Sequence, residues 1–175
     1  LIDLEFVNNT ADYGGAIYIA GNFATIDNSN VTRCIAYSKD GGALFISGSN
    51  ATASKSNFVE NKVGGSDARG GSIYIEGDGV TLDECYFTRC SAIYGGSIYI
   101  AGDDTEIYNS KFMMTLAGND GGAIYIGGVN NHIHNSTFSF SNATRCGAIF
   151  IEGNNSLIEA DFDKCFASNN GLPLV

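Results

Sequence analysis

Six aromatic residues recur at one position of a repeated phrase: Tyr18, Phe45, Tyr74, Tyr99, Tyr125 and Phe150. If that position faces outward, the rings form a row on which sugar rings or an apolar protein surface could lie. The same row could instead stack on itself and shield the sheet beneath. Both readings are open on the sequence; the first makes these rings the expected ligand-binding strip.

Acid–base chemistry would need carboxylates, or carboxylates with a basic residue, gathered in one groove. Glu76 and Glu152 share a column but stand three repeats apart, and Asp27 and Asp83 are separated by Ser54. Asp103, Asp104 and Asp120 belong to turns, where Asp is expected for its local hydrogen bonds. Arg33, Arg89 and Lys164 share a corner column and read as solvated charges. No convergent cluster emerges, so no catalytic residue is expected and the chain is expected not to be an enzyme. His132 and His134 flank Ile133 and face outward together. Two imidazoles without a third ligand make a weak metal site, so neither metal nor cofactor is expected.

Five cysteines cannot all pair within one chain. Cys34, Cys90 and Cys165 each fall three residues after an apolar anchor (Val31, Phe87, Phe162), in the slot that Asn9 and Asn61 fill elsewhere. A thiol standing in for a small polar group explains this, with a disulfide or a metal ligand as alternatives. Glycosylation sequons occur at Asn8, Asn30, Asn50, Asn135, Asn142 and Asn154. Asn50 and Asn154 fall in turns and are the expected glycan sites if the parent protein is exported.

All of these candidates are carried by one repeat. Gly14-Gly15-Ala16-Ile17-Tyr18-Ile19 returns as Gly121-Gly122-Ala123-Ile124-Tyr125-Ile126, and related copies begin at Gly41, Gly70, Gly95 and Cys146. The spacing of 25 to 29 residues marks a solenoid, whose units bury their apolar faces only against neighbours. Alternation assigns the sides of each strand. Isoleucine or leucine fills the fourth and sixth places of the phrase, whereas the seventh tolerates Glu76 and Glu152. That column must be wet, which turns the isoleucines inward and the aromatics outward. A second strand places Ile26, Leu82, Ile107 and Ile133 inside, followed by Ser29, Ser56, Cys85, Ser110 and Ser136, and Phe58, Phe87, Phe112, Phe138 and Phe162 turn the corner inward. Repeat length varies mainly just before the glycine pair, at Tyr37–Asp40 and Gly64–Arg69.

A hydrophobic content of 44% supports a core and argues against disorder. A formal charge of −10 makes nucleic acid an unsuitable partner. No apolar run approaches membrane-spanning length, so this segment is not expected to insert. The chain opens and closes mid-pattern, as a slice of a longer array would.

The paired motifs resemble known repeats. Gly14, Gly15, Ala16 and Ile17, with Phe58 and Asn61, look like the GGAI and FxxN repeats of polymorphic outer-membrane proteins. With Asn109, Ser110 and Phe112 the wording is closer to the adhesin-like β-helix proteins of methanogenic archaea. The departures are Cys34, Cys90, Cys165, Thr115 and Ser141 at the asparagine, and Val31 at the phenylalanine. The expected fold is an all-β, right-handed, single-stranded parallel β-helix of about six to seven coils, one repeat domain over 1–175. The resemblance implies a non-enzymatic, extracellular or cell-surface adhesin-like module. It would be a rigid stalk presenting a binding face to a cell-surface glycan or to a protein of another cell. The alternatives are a polysaccharide-active lyase or hydrolase, and a structural unit that self-associates end to end through unpaired strand edges.

Overall fold

The computed structural model describes residues 1–38 and 40–168. Its strands are short and every strand pair is parallel. Strands of the glycine phrase, Ile17–Ile19, Leu44–Ile46, Ile73–Ile75, Ile98–Ile100, Ile124–Ile126 and Ile149–Ile151, form a six-stranded sheet in chain order. The register matches like with like, so Ile17 meets Leu44 and Tyr18 meets Phe45. A second sheet of eleven strands carries two columns of each coil, such as Thr81–Asp83 and Tyr86–Thr88. The columns merge where the longer strands His132–Ser139 and Leu157–Asp163 run through the bend. A seven-stranded third sheet, from Thr10–Ala11 to Phe166–Ala167, closes the coil. The chain is thus an all-β solenoid of about six turns.

Inward and outward assignments from alternation hold for the core. Leu44, Ile46, Ile73, Ile75, Ile98, Ile100, Ile124 and Ile126 are buried in one continuous cluster with Ile26, Leu82, Ile107 and Ile133. Phe58, Phe87, Phe112 and Phe138 stack inside at centroid spacings of 4.6–4.9 Å, close to the inter-strand distance that sets them. Burying a ring of this size contributes about 1.5–3 kcal/mol. The seventh-position residues Ala20, Glu76, Ala101 and Glu152 are exposed, as a wet column requires.

Buried polar groups are spent on the corners. Ser56 Oγ donates to the Ser54 carbonyl at 2.7 Å and accepts the Ser29 N–H of the preceding coil at 3.1 Å. Ser110 and Ser136 repeat the pattern. Asn61 spans two coils, accepting from Cys34 N–H at 2.8 Å and donating to the Val31 carbonyl at 2.9 Å. The thiols imitate the hydroxyls: Cys90 Sγ lies 3.4 Å from the Thr88 carbonyl and Cys85 Sγ 3.5 Å from that of Asp83. All five cysteines are free. Burial pushes the Cys85 thiol up to about 12, so it stays neutral in the interior.

The glycine pair has two separate causes. The first glycine is left-handed, with φ of +53° to +65° in five copies, and Cys146 holds the same conformation at +54° in the sixth. The second has no room for a side chain, because a Cβ on Gly15, Gly42, Gly71 or Gly96 would collide with the glycine carbonyl of the next coil.

Candidate functional site

The six aromatics stack as a ladder on the outer side of the glycine-phrase sheet, at centroid spacings of 4.6–5.4 Å. They lie outside the isoleucine core, yet they are not the open strip that alternation alone suggests. Tyr18 is 55% exposed, but Phe45, Tyr74 and Tyr125 are only 5–8% exposed, and Tyr99 and Phe150 are half-buried. The cover comes from the residue just before the glycine phrase, where the column reads Tyr13, Asp40, Arg69, Tyr94, Asp120 and Arg145. The tyrosines and arginines lie against the rings, and the two aspartates hold the arginines. Tyr13 meets Phe45 edge-on at 5.7 Å, and Tyr94 meets Tyr125 edge-on at 5.9 Å. The Arg69 guanidinium lies over Tyr74 at 4.8 Å and Tyr99 at 5.3 Å, and that of Arg145 over Phe150 at 5.1 Å.

Two bidentate ion pairs fix the arginines. Arg69 donates from Nε and Nη2 to Asp40 at 2.7 and 2.8 Å, and Arg145 to Asp120 at 2.6 and 2.7 Å. Planar fork-to-fork geometry fixes each guanidinium in its place over the rings. Both aspartates are buried, so each depends on its arginine for charge compensation. Burial pushes the Tyr74 phenol up to about 12, against the pull of Arg69, and raises Tyr99 and Tyr125 too. The Tyr125 phenol donates to Glu152.

Where this cover is incomplete a cleft of about 350 Å³ opens, lined by Asp67, Arg69, Tyr94, Tyr99, Asp120, Tyr125 and Arg145. It combines ring edges and faces with guanidinium donors not spent on the aspartates. Such a lining suits a hydroxyl-rich ligand, which needs a flat apolar platform and several directional polar partners. Of the six expected strip residues, Tyr99 and Tyr125 line the cleft. Tyr18, Phe45, Tyr74 and Phe150 belong to the ladder but not to the cleft lining. Arg69, Tyr94 and Arg145 were not among the expected residues, although their signal is legible: they hold one column, reading aromatic, acid, base, aromatic, acid, base.

Other expected features are dispersed. Asn50 and Asn154 are exposed turn residues, open to modification. His132 and His134 face outward together, and Glu106 joins them from the preceding coil. Among the described residues, no helix is long and apolar enough to cross a membrane.

Comparison with known proteins agrees with this architecture. A family model described as the right-handed β-helix region matches residues 15–172. No curated protein and no solved structure matches the chain. Parallel coils in register, a glycine pair at a fixed corner and a match over most of the length converge: the chain belongs to the right-handed β-helix family.

Proposed function

We propose that this chain is a non-enzymatic, adhesin-like module at a cell surface, a rigid stalk whose glycine-phrase corner binds carbohydrate on another cell. The observation that carries the proposal is the cleft between Arg69, Tyr94, Tyr99, Tyr125 and Arg145, where ring surface and fixed guanidinium donors meet. Bidentate pairing holds the arginines in place before a ligand arrives, which lowers the ordering cost of binding. The coil-on-coil stack keeps neighbouring side chains at the strand spacing, so such a face is presented without a loop having to fold around the ligand. Exposed Asn50 and Asn154 fit an extracellular setting, where both sequons could be used.

A glycan-array screen followed by calorimetry on the best ligand tests this. Tyr94→Ala with Arg145→Ala is expected to weaken binding at least about tenfold, a loss of about 1.4 kcal/mol, in a variant whose β-sheet circular dichroism is unchanged. Absence of binding to any glycan, or an affinity indifferent to the double variant, overturns the proposal. Turnover of acidic polysaccharides would replace it with an enzymatic reading.

A further inference from the structure

The outer face of the second-strand sheet holds a cluster that takes no part in the corner cleft. The register pairs Glu106 with His132 and Tyr108 with His134, so consecutive coils place a carboxylate and two imidazoles side by side. His132 Nδ1 lies 3.1 Å from Glu106 Oε1, and His134 Nε2 lies 3.3 Å from Glu106 Oε2. One ligand atom from each residue falls within 4.8 Å of the others. Ligands at about 2.0–2.2 Å around a tetrahedral ion stand roughly 3.4 Å apart, so small χ rotations would close the set.

The contact geometry leaves a place for an ion here. His134 Nδ1 lies 3.1 Å from Glu159 of the following coil, and where that carboxylate accepts the ring's single N–H the other ring nitrogen carries a lone pair. The Nε2 lone pair then faces Glu106 Oε2, which is buried and makes no hydrogen bond of good geometry. Two lone pairs in contact repel unless a proton or a cation lies between them. A carboxylate on the far nitrogen of a histidine is also the arrangement that orients and strengthens a metal-binding imidazole. Tyr108 stacks on His134 at 5.2 Å and holds the ring plane. The formal charge of −10 favours a cation anywhere on this surface.

We propose that Glu106, His132 and His134 bind a divalent transition-metal ion of the zinc class, with Glu159 positioning His134 and solvent filling the fourth place. Two imidazoles and a carboxylate select such an ion over magnesium or calcium, which prefer oxygen ligands alone. Calorimetry of the untagged, chelator-treated chain with zinc chloride should show one saturable equivalent, while magnesium shows none. His132→Asn with His134→Gln should weaken binding about 100-fold, and Glu159→Gln alone about tenfold. Cobalt substitution should give a tetrahedral visible spectrum without a thiolate charge-transfer band. Thermal melts of the metal-free variants check the fold, and these partly exposed side chains should leave it intact. The proposal is overturned by absence of zinc binding, by zinc affinity indifferent to the histidine pair in a folded variant, or by thiolate absorption with cobalt.

Discussion

Two aromatic ladders run along this solenoid, one inside and one outside, and the same backbone spacing sets both. The inner one, Phe58 to Phe138, stacks at 4.6–4.9 Å with rings 0–1% exposed and nearly parallel, within 7°. The outer one, Tyr18 to Phe150, stacks at 4.6–5.4 Å, yet its interplanar angles reach 27° and its exposure runs from 5% to 55%. Stacking is therefore imposed by coil repetition and is shared. Burial is not shared. The four central coils from Phe58 to Phe138 each enclose their own phenylalanine, whereas the outer rings are covered only where a neighbouring corner supplies Tyr13, Arg69, Tyr94 or Arg145.

The largest test of this difference is to truncate one rung of each ladder. Phe112→Ala leaves a cavity between two stacked rings and should cost about 3–5 kcal/mol, read from urea unfolding. Tyr18→Ala, on the open end of the outer ladder, should cost less than about 1 kcal/mol. Equal losses would break the distinction.

Next comes the cover itself. Arg69→Ala removes the lid over Tyr74 and leaves Asp40 buried without its partner. The arginine is itself about a third exposed, so the expected cost is discounted to about 1–3 kcal/mol. Replacing both members, Arg69→Met with Asp40→Leu, should recover most of that loss, because no buried charge remains unpaired.

Alkaline pH sharpens the comparison further. The Tyr74 phenol is pushed up to about 12 by burial in the folded state, against about 10 in the unfolded chain. Its stabilisation is therefore fully present below about pH 10 and lost as pH rises toward 12. Cys85, also pushed up to about 12, acts in the same direction from the interior. Tyr74→Phe isolates the outer contribution, and its urea midpoint should fall less between pH 9 and pH 11 than that of the parent. A parallel fall in both proteins would assign the alkaline loss elsewhere.

The smallest effect concerns a corner. Phe140 is held at φ +54°, a left-handed conformation that its side chain disfavours, and is 45% exposed. Asparagine tolerates that region, so Phe140→Asn should gain about 0.5–1 kcal/mol, read as a higher urea midpoint. A loss would show that the Lys164 ammonium, 5.1 Å from the ring, matters more than the backbone.

Much of this was legible without coordinates. Each coil contacts mainly its neighbours at one register, so residues in the same phase of the repeat must meet. That is why the inward isoleucines, the serine and asparagine slots and the inner phenylalanines could be assigned residue by residue. Glu106 was within reach by the same rule, since it precedes Ile107 as His132 precedes Ile133. Reading the histidines along their own strand hid it, because the third group comes from another coil.

Period, inside and outside were fixed by the amino-acid order, since alternation and coil spacing leave one way for like residues to align. The fate of the outward side chains was decided only in three dimensions. The residues that cover the ladder stand in register at the corner just before the glycine phrase, Asp40 beside Arg69 and Arg69 beside Tyr94. The loops of varying length ahead of them hide that alignment along the chain, and the way each long side chain lies is set by its ion pair or ring contact rather than by the repeat. Tyr74 and Tyr18 occupy the same place in the phrase, and a guanidinium from that corner lies over one of them while the other faces water.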